Sequence, residues 1–160
     1  MSTTDISGST SAPSPNPQAG EWRLEVVAIP VSDVARAKDF YVNTLGWRLD
    51  ADFNVSEDFW VVQATPPGSL CSIHFGKGIT AAAPGSIDHI YLVVSDLEAA
   101  RAQLVDRGVD VSEIFHMVPG QVPEPGLDPN RGAYASYASF HDPDGNQWLV
   151  QEISTRLPGR

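Results

Sequence analysis

The chain has 160 residues, enough for one domain of ordinary size and too few for two. Twenty acidic against ten basic residues leave a net charge of −10, which repels phosphate backbones and disfavours nucleic-acid binding. With 42% hydrophobic residues, a single cysteine and no apolar run near the roughly 20 residues that span a bilayer, the sequence predicts a folded, soluble chain without disulfides and away from membranes, and the cytoplasm as its compartment.

Residues 1–20 are mostly Ser, Thr, Pro, Gly and Ala and carry too little apolar surface to offset their ordering entropy, so they are expected to form a flexible tail ahead of a single domain at 21–160. The domain holds an internal repeat over 24–76 and 87–153. The runs V-V-A-I-P-V-S-D (Val26 to Asp33) and H-I-Y-L-V-V-S-D (His89 to Asp96) each read as an apolar strand closed by a Ser-Asp helix cap. Helical patterns follow both, and each stops at a glycine, Gly46 and Gly108, where a left-handed residue ends a helix. Three extended runs come next in each copy: Trp47 to Phe53, Phe59 to Ala64 and Leu70 to Phe75, then Val109 to His116, Tyr134 to Phe140 and Gln147 to Ile153. The turn before each last run is T-P-P-G-S (Thr65 to Ser69) or D-P-D-G-N (Asp142 to Asn146). The unit is therefore βαβββ, twice. The second copy carries an insertion, His116 to Ala133, rich in Pro and Gly; it excludes regular structure and suggests a lid over a pocket.

The duplicated unit, the S-D-V-x-R-A-x-x-F-Y-x-x-x-L-G-W run at Ser32 to Trp47 and the D-P-D-G-N turn resemble the vicinal oxygen chelate superfamily, the glyoxalase, bleomycin-resistance and extradiol-dioxygenase group. The D-P-D-G-N-x-W-x-x-Q-E ending, Asp142 to Glu152, looks like the bacterial glyoxalase-like proteins. The resemblance implies an α+β fold of two tandem βαβββ units curled as incomplete barrels around a cavity, a homodimer, and metal ligands drawn from the first and last strand of each unit. Those positions fall on Val26 and His89, and on Ser72 and Leu149, so the usual four-ligand set is broken.

Alternation along a strand offers another constellation. His74 shares a face with Ser72, Gln151 with Leu149, and Tyr91 with His89, so a pocket of His74, His89, Gln151 and Tyr91 is expected. Two imidazoles and an oxygen ligand suit a divalent Zn, Ni, Fe or Mn ion, and Glu152 supplies the carboxylate if a bulge rotates the last strand by one residue. His116, opening the insertion, could reach over the cavity as an acid or base, and Tyr134 and Tyr137 could wall it or simply pack. Trp47, Trp60 and Trp148 fit the core, and Cys71 an inert buried thiol.

Two functions follow. One is an enzyme of lyase, isomerase or dioxygenase type, acting on a small oxygenated or carbonyl-bearing molecule through His89 and His74, with a metal or by proton transfer. The other is a metal-free protein that sequesters a small molecule of the antibiotic type.

Overall fold

The computed structural model describes residues 16–156 and 158, so most of the expected tail lies outside the described residues. The first unit runs β1 (Val26–Ala28), α1 (Val34–Lys38), β2 (Arg48–Asn54), β3 (Trp60–Thr65) and β4 (Ser72–Lys77). The second runs β5 (Ile90–Val94), α2 (Leu97–Asp106), β6 (Phe115–His116), β7 (Glu124–Pro125), β8 (Ser136–His141) and β9 (Gln147–Glu152). The strands form two open sheets, β1-β4-β3-β2 and β5-β9-β8-β6-β7. In each, the first strand lies parallel to the last, and the remaining pairs are antiparallel. This is the α+β duplication that the repeat predicts.

Local chemistry explains the helix boundaries. The Asp33 carboxylate accepts from Arg36 N at 3.0 Å and Asp96 from Ala99 N at 2.9 Å, each satisfying an orphan amide of the first turn. Gly46 and Gly108 sit at φ +72° and +80°, in the left-handed region where a Cβ is penalised. The first helix does not stay α-helical: over Asp39–Thr44 it widens to a π-helical turn, with Leu45 N reaching Phe40 O at 2.8 Å. The widening turns both Phe40 and Tyr41 inward, so that Tyr41 meets Trp47 and Phe75 at ring-centroid distances of 5.2 and 5.3 Å and Phe40 leans on Phe140 at 6.3 Å.

Two expectations for the second unit need correction. Val109 to His116 is not one strand: Val111 bridges Phe140 alone, and regular pairing resumes only at Phe115–His116. There the Ser112 amide donates to Ser139 O at 2.8 Å, but the Ser112 hydroxyl accepts the Ser139 amide at 2.9 Å and Arg101 Nε donates to the Ser112 carbonyl at 2.7 Å, so side chains take over part of the ladder. The insertion in turn is not wholly irregular, because Glu124–Pro125 adds a fifth, edge strand to the sheet. An edge is where a proline costs no ladder bond.

The two sheets share one core. Val62, Ala64, Ile73 and Phe75 from the first meet Ala138, Phe140, Trp148 and Val150 from the second, with Tyr41 and Trp47 between them. Trp60 packs at the margin of this core and anchors its indole N–H on Asp52 at 2.8 Å. The D-P-D-G-N turn closes the junction. Asp142, buried, accepts from Tyr41 Oη at 2.7 Å, from Asn146 Nδ2 at 2.7 Å, and from the Asp144 and Asn146 amides at 2.9 Å each. Asn146, 0% exposed, also donates to Pro30 O at 2.9 Å and accepts from Ile87 N at 3.1 Å, so one turn ties the second unit to the first and to the connector between them. Among the described residues no helix is long and apolar enough to cross a membrane.

Burial, and then the neighbouring Asp142 carboxylate, push the Tyr41 phenol far above its ordinary range. A phenol whose folded pKa is raised keeps its stabilising effect below the unfolded value near 10 and loses it as pH rises above that value. Of the four tyrosines, Tyr41 is therefore expected to ionise only as the chain unfolds. Spectrophotometric titration checks this: a Tyr41→Phe variant should lack the one absorbance step that coincides with alkaline unfolding by circular dichroism.

Candidate ligand-binding face

Because side chains alternate along a strand, whatever does not enter the shared core points out of the opposite face of its sheet. In the first sheet the outward set is Val26 and Ala28 on β1, Ser72 and His74 on β4, Val61 and Gln63 on β3, and Phe53 on β2, as the register requires. His74 stands opposite Gln63 and beside Ala28. Nearby, the Thr65 hydroxyl bonds the Asp50 carboxylate and lies 2.6 Å from the Ser72 hydroxyl, while Arg48 Nε holds Asp50 at 2.6 Å.

In the second sheet the outward set is aromatic. Tyr91 and Val93 on β5 pair with Leu149 and Gln151 on β9, and Gln151 pairs with Tyr137 on β8. His89, at φ +61° just before β5, places its ring 6.5 Å from that of Tyr91. Tyr91 meets Tyr137 edge-on at 6.5 Å, and Phe115 stacks on Tyr137 at 5.8 Å. A strip of four rings thus crosses the sheet above Leu149 and Gln151, and Tyr91 remains 53% exposed. At its centre Gln151 Nε2 donates to Tyr137 Oη at 2.7 Å, and Tyr137 Oη donates to Tyr134 O at 2.6 Å. Burial raises the Tyr137 phenol above its usual value, with the Gln151 hydrogen bond opposing and the Tyr91 charge adding.

The sequence-derived constellation is therefore split. His89, Tyr91, Gln151 and Tyr137 come together on the second sheet, but His74 lies on the outward face of the first, with the core between. Glu152 faces the other way from Gln151: it is buried against α2, accepting from Leu97 N at 3.0 Å and from Arg131 at 3.1 and 3.2 Å. No bulge rotates β9, since its register with β5 and β8 is continuous. His116 does not reach over the face either; it is buried, and its Nδ1 donates to Gly126 O at 2.9 Å, pinning the insertion. Tyr134 enters through its backbone, held at φ +68° with its amide on Glu152 O at 3.1 Å. Cys71 is half-buried, its thiol raised by burial and then by the Glu25 charge.

The donor set also decides the metal question within one chain. Of the four positions the resemblance implies, Val26 neighbours Ser72 on one sheet, while on the other Leu149 pairs with Tyr91 and His89 precedes the strand, and neither valine nor leucine can ligate. Among the described residues no three His, Cys, Asp or Glu side chains converge on a metal-sized site. The residues of one chain do not fit the superfamily's metal centre. Phe115 escaped sequence reasoning altogether; only the register of the broken β6 run against Tyr137 would have revealed it.

Comparisons with known proteins agree with this architecture. A curated glyoxylase-like domain-containing protein from Didymella fabae is 29% identical over 140 residues, covering 86% of this chain and 96% of its own. The crystal structure of TnmS3, an antibiotic binding protein from Streptomyces sp. CB03234, is 30% identical with a TM-score of 0.65, covering 84% of this chain and 98% of that one. A superfamily member from Sphaerobacter thermophilus DSM 20745 is also 30% identical, with a TM-score of 0.62 and coverage of 82% and 98%. The family profile itself matches residues 23–150, the two βαβββ units almost entire, and the chain belongs to the Glyoxalase/Bleomycin resistance protein/Dioxygenase superfamily.

Proposed function

We propose that the protein binds a small, ring-bearing molecule on the outward face of its second sheet. The observation that carries this is the strip of His89, Tyr91, Tyr137 and Phe115 around the hydrogen-bonded Gln151, an apolar surface with a few placed polar atoms. Likeness to an antibiotic-binding Streptomyces protein supports binding as the activity. The test is an NMR titration against a set of small aromatic and aliphatic compounds. Shifts should gather at the amides of Tyr91, Tyr137, Leu149 and Gln151, and Tyr91→Ala should weaken binding about tenfold, in line with about 1–2 kcal/mol of lost ring contact. Shifts gathered anywhere else would sink the proposal.

A homodimer completes this face. Phe53 on the first sheet is 62% exposed, and with Tyr91 and Val93 on the second it forms outward apolar surface of the kind that marks an interface. Two-fold pairing of the first sheet of one protomer with the second sheet of its partner covers both sets twice over. It brings His74 of one protomer across from Tyr91 of the other. Light scattering is expected to give twice the chain mass, falling to a monomer in Phe53→Asp; a wild-type monomer at micromolar concentration would contradict it.

An enzymatic variant of the same reading rests on the Asp88 carboxylate, 3.4 Å from His89 Nδ1 beside the rings. Such a pair orients an imidazole as a general acid or base. In that case His89→Ala lowers turnover about 100-fold to 10,000-fold while leaving binding within a few-fold. Equal loss of both would assign His89 to binding alone.

A further inference from the structure

One backbone atom fixes the proton positions at the centre of the aromatic strip. The carbonyl oxygen of Tyr134 can only accept. The Tyr137 hydroxyl, 2.6 Å away, must therefore donate its single proton to it. The Gln151 amide lies 3.2 Å from the same oxygen and 2.7 Å from the Tyr137 hydroxyl, so its nitrogen end, not its oxygen, faces this pair. With its proton committed, the hydroxyl accepts from Gln151, and both amide protons of Gln151 are used. What remains pointing outward is Gln151 Oε1, which accepts no hydrogen bond among the described residues, together with a lone pair of the Tyr137 hydroxyl. Among those residues no buried side-chain polar atom lacks a partner, so Oε1 is open to solvent.

Directly over Gln151 the face thus presents acceptors alone, the nearest other polar groups in the strip being the Tyr91 hydroxyl and the His89 ring. Its apolar neighbours Leu149, Val93 and Phe115 add neither a donor nor a positive charge, and the chain as a whole carries −10. A carbonyl or an anion laid over Gln151 would meet lone pairs and strip Oε1 of its water without replacing it, which is the costly way to cover a polar atom. A hydroxyl or ring N–H would replace that water. We infer that the ligand of this face is a hydrogen-bond donor carried on an aromatic ring, a hydroxyarene or an N–H heteroarene, an inference that rests on the second sheet being the binding face. Gln151 is the residue that sets this preference, and the Tyr134 carbonyl sets Gln151.

Paired ligands test it. The full chain is titrated by NMR with 2-naphthol and with 2-methoxynaphthalene, which differ by masking the one donor with a methyl group. Burial alone favours the more apolar ether; the donor rule predicts the reverse, with naphthol binding roughly tenfold more tightly. In Gln151→Leu the preference should disappear while both compounds still bind, and in Tyr91→Ala both should weaken together. Equal binding, or tighter binding of the ether, with shifts still centred on Tyr91 and Tyr137 overturns the donor rule and leaves the binding face standing. No binding of either overturns both. The wild-type comparison decides the matter even if Gln151→Leu fails to fold.

Discussion

Asp142→Ala is expected to destabilise the fold by roughly 3 to 5 kcal/mol, the largest effect of any single substitution outside the hydrophobic core. The carboxylate stands in contact with four donors and no acceptor. Its removal leaves the Tyr41 hydroxyl, which also accepts from Trp148 Nε1 at 3.1 Å, and the main-chain N–H of Asn146 buried without an acceptor, while the Asn146 carboxamide keeps only its bond to Pro30 O. Each orphaned buried donor costs about 1–3 kcal/mol, and against a total stability of about 5 to 15 kcal/mol the sum is a large share. Asp142→Asn should cost about half as much, because its carboxamide keeps one acceptor and turns an N–H toward two donors. Urea denaturation measures both; a loss under about 1 kcal/mol for the alanine variant would mean that the junction is held by ring packing alone. The same variant should leave the aromatic strip's local geometry intact in whatever fraction stays folded, since none of its rings touches Asp142.

How far the sequence foretells this molecule depends on whether the information is local. The two β-α boundaries are legible because a Ser-Asp cap and a stop glycine act within a few residues, and Asp33, Asp96, Gly46 and Gly108 do what their types suggest. The faces of β4, β5 and β9 are legible for the same reason: period-two alternation puts Ser72 with His74, and Leu149 with Gln151. What alternation cannot supply is which way two sheets turn toward each other. His74 lies on the predicted face of β4, and His89, just before β5, keeps its ring beside that of Tyr91, yet the shared core of Phe75, Tyr41 and Trp148 separates the two histidines within one chain. The π-helical turn at Asp39–Thr44 and the broken run at Ser112 are illegible because their partners, Phe75 and Phe140 for the first and Ser139 for the second, lie far away in sequence, and the added strand at Glu124–Pro125 because a two-residue pairing inside a Pro- and Gly-rich loop leaves no periodic pattern. The D-P-D-G-N turn shows the converse: its turn-forming residues announce a turn, while the reason for Asp and Asn at its ends is a contact with Tyr41 and Pro30, more than 100 residues away.

Glu152→Ala should cost about 2 to 3 kcal/mol and loosen the segment that fixes the binding face. The buried carboxylate accepts from the first free amide of α2, Leu97 N, and from Arg131, which the insertion delivers from its exposed side. An unsatisfied Leu97 amide accounts for most of the expected loss, because an ion pair with a half-exposed arginine contributes little. The dynamic consequence is larger. Arg131 and Tyr134 are non-glycine residues in the left-handed region, at φ +51° and +68°, a conformation that costs roughly 1–2 kcal/mol per residue and persists only while its surroundings impose it. Without the carboxylate, hydrogen exchange at the Gly132 and Tyr134 amides should accelerate by at least tenfold relative to β8 and β9. Arg131 separates the two contributions. Arg131→Ala loses the ion pair and keeps the strained backbone, whereas Arg131→Gly loses the pair but relieves the strain, so the glycine variant should be the more stable of the two by about 1 kcal/mol. The reverse order would show that the left-handed backbone at Arg131 stores no strain for the Glu152 latch to hold.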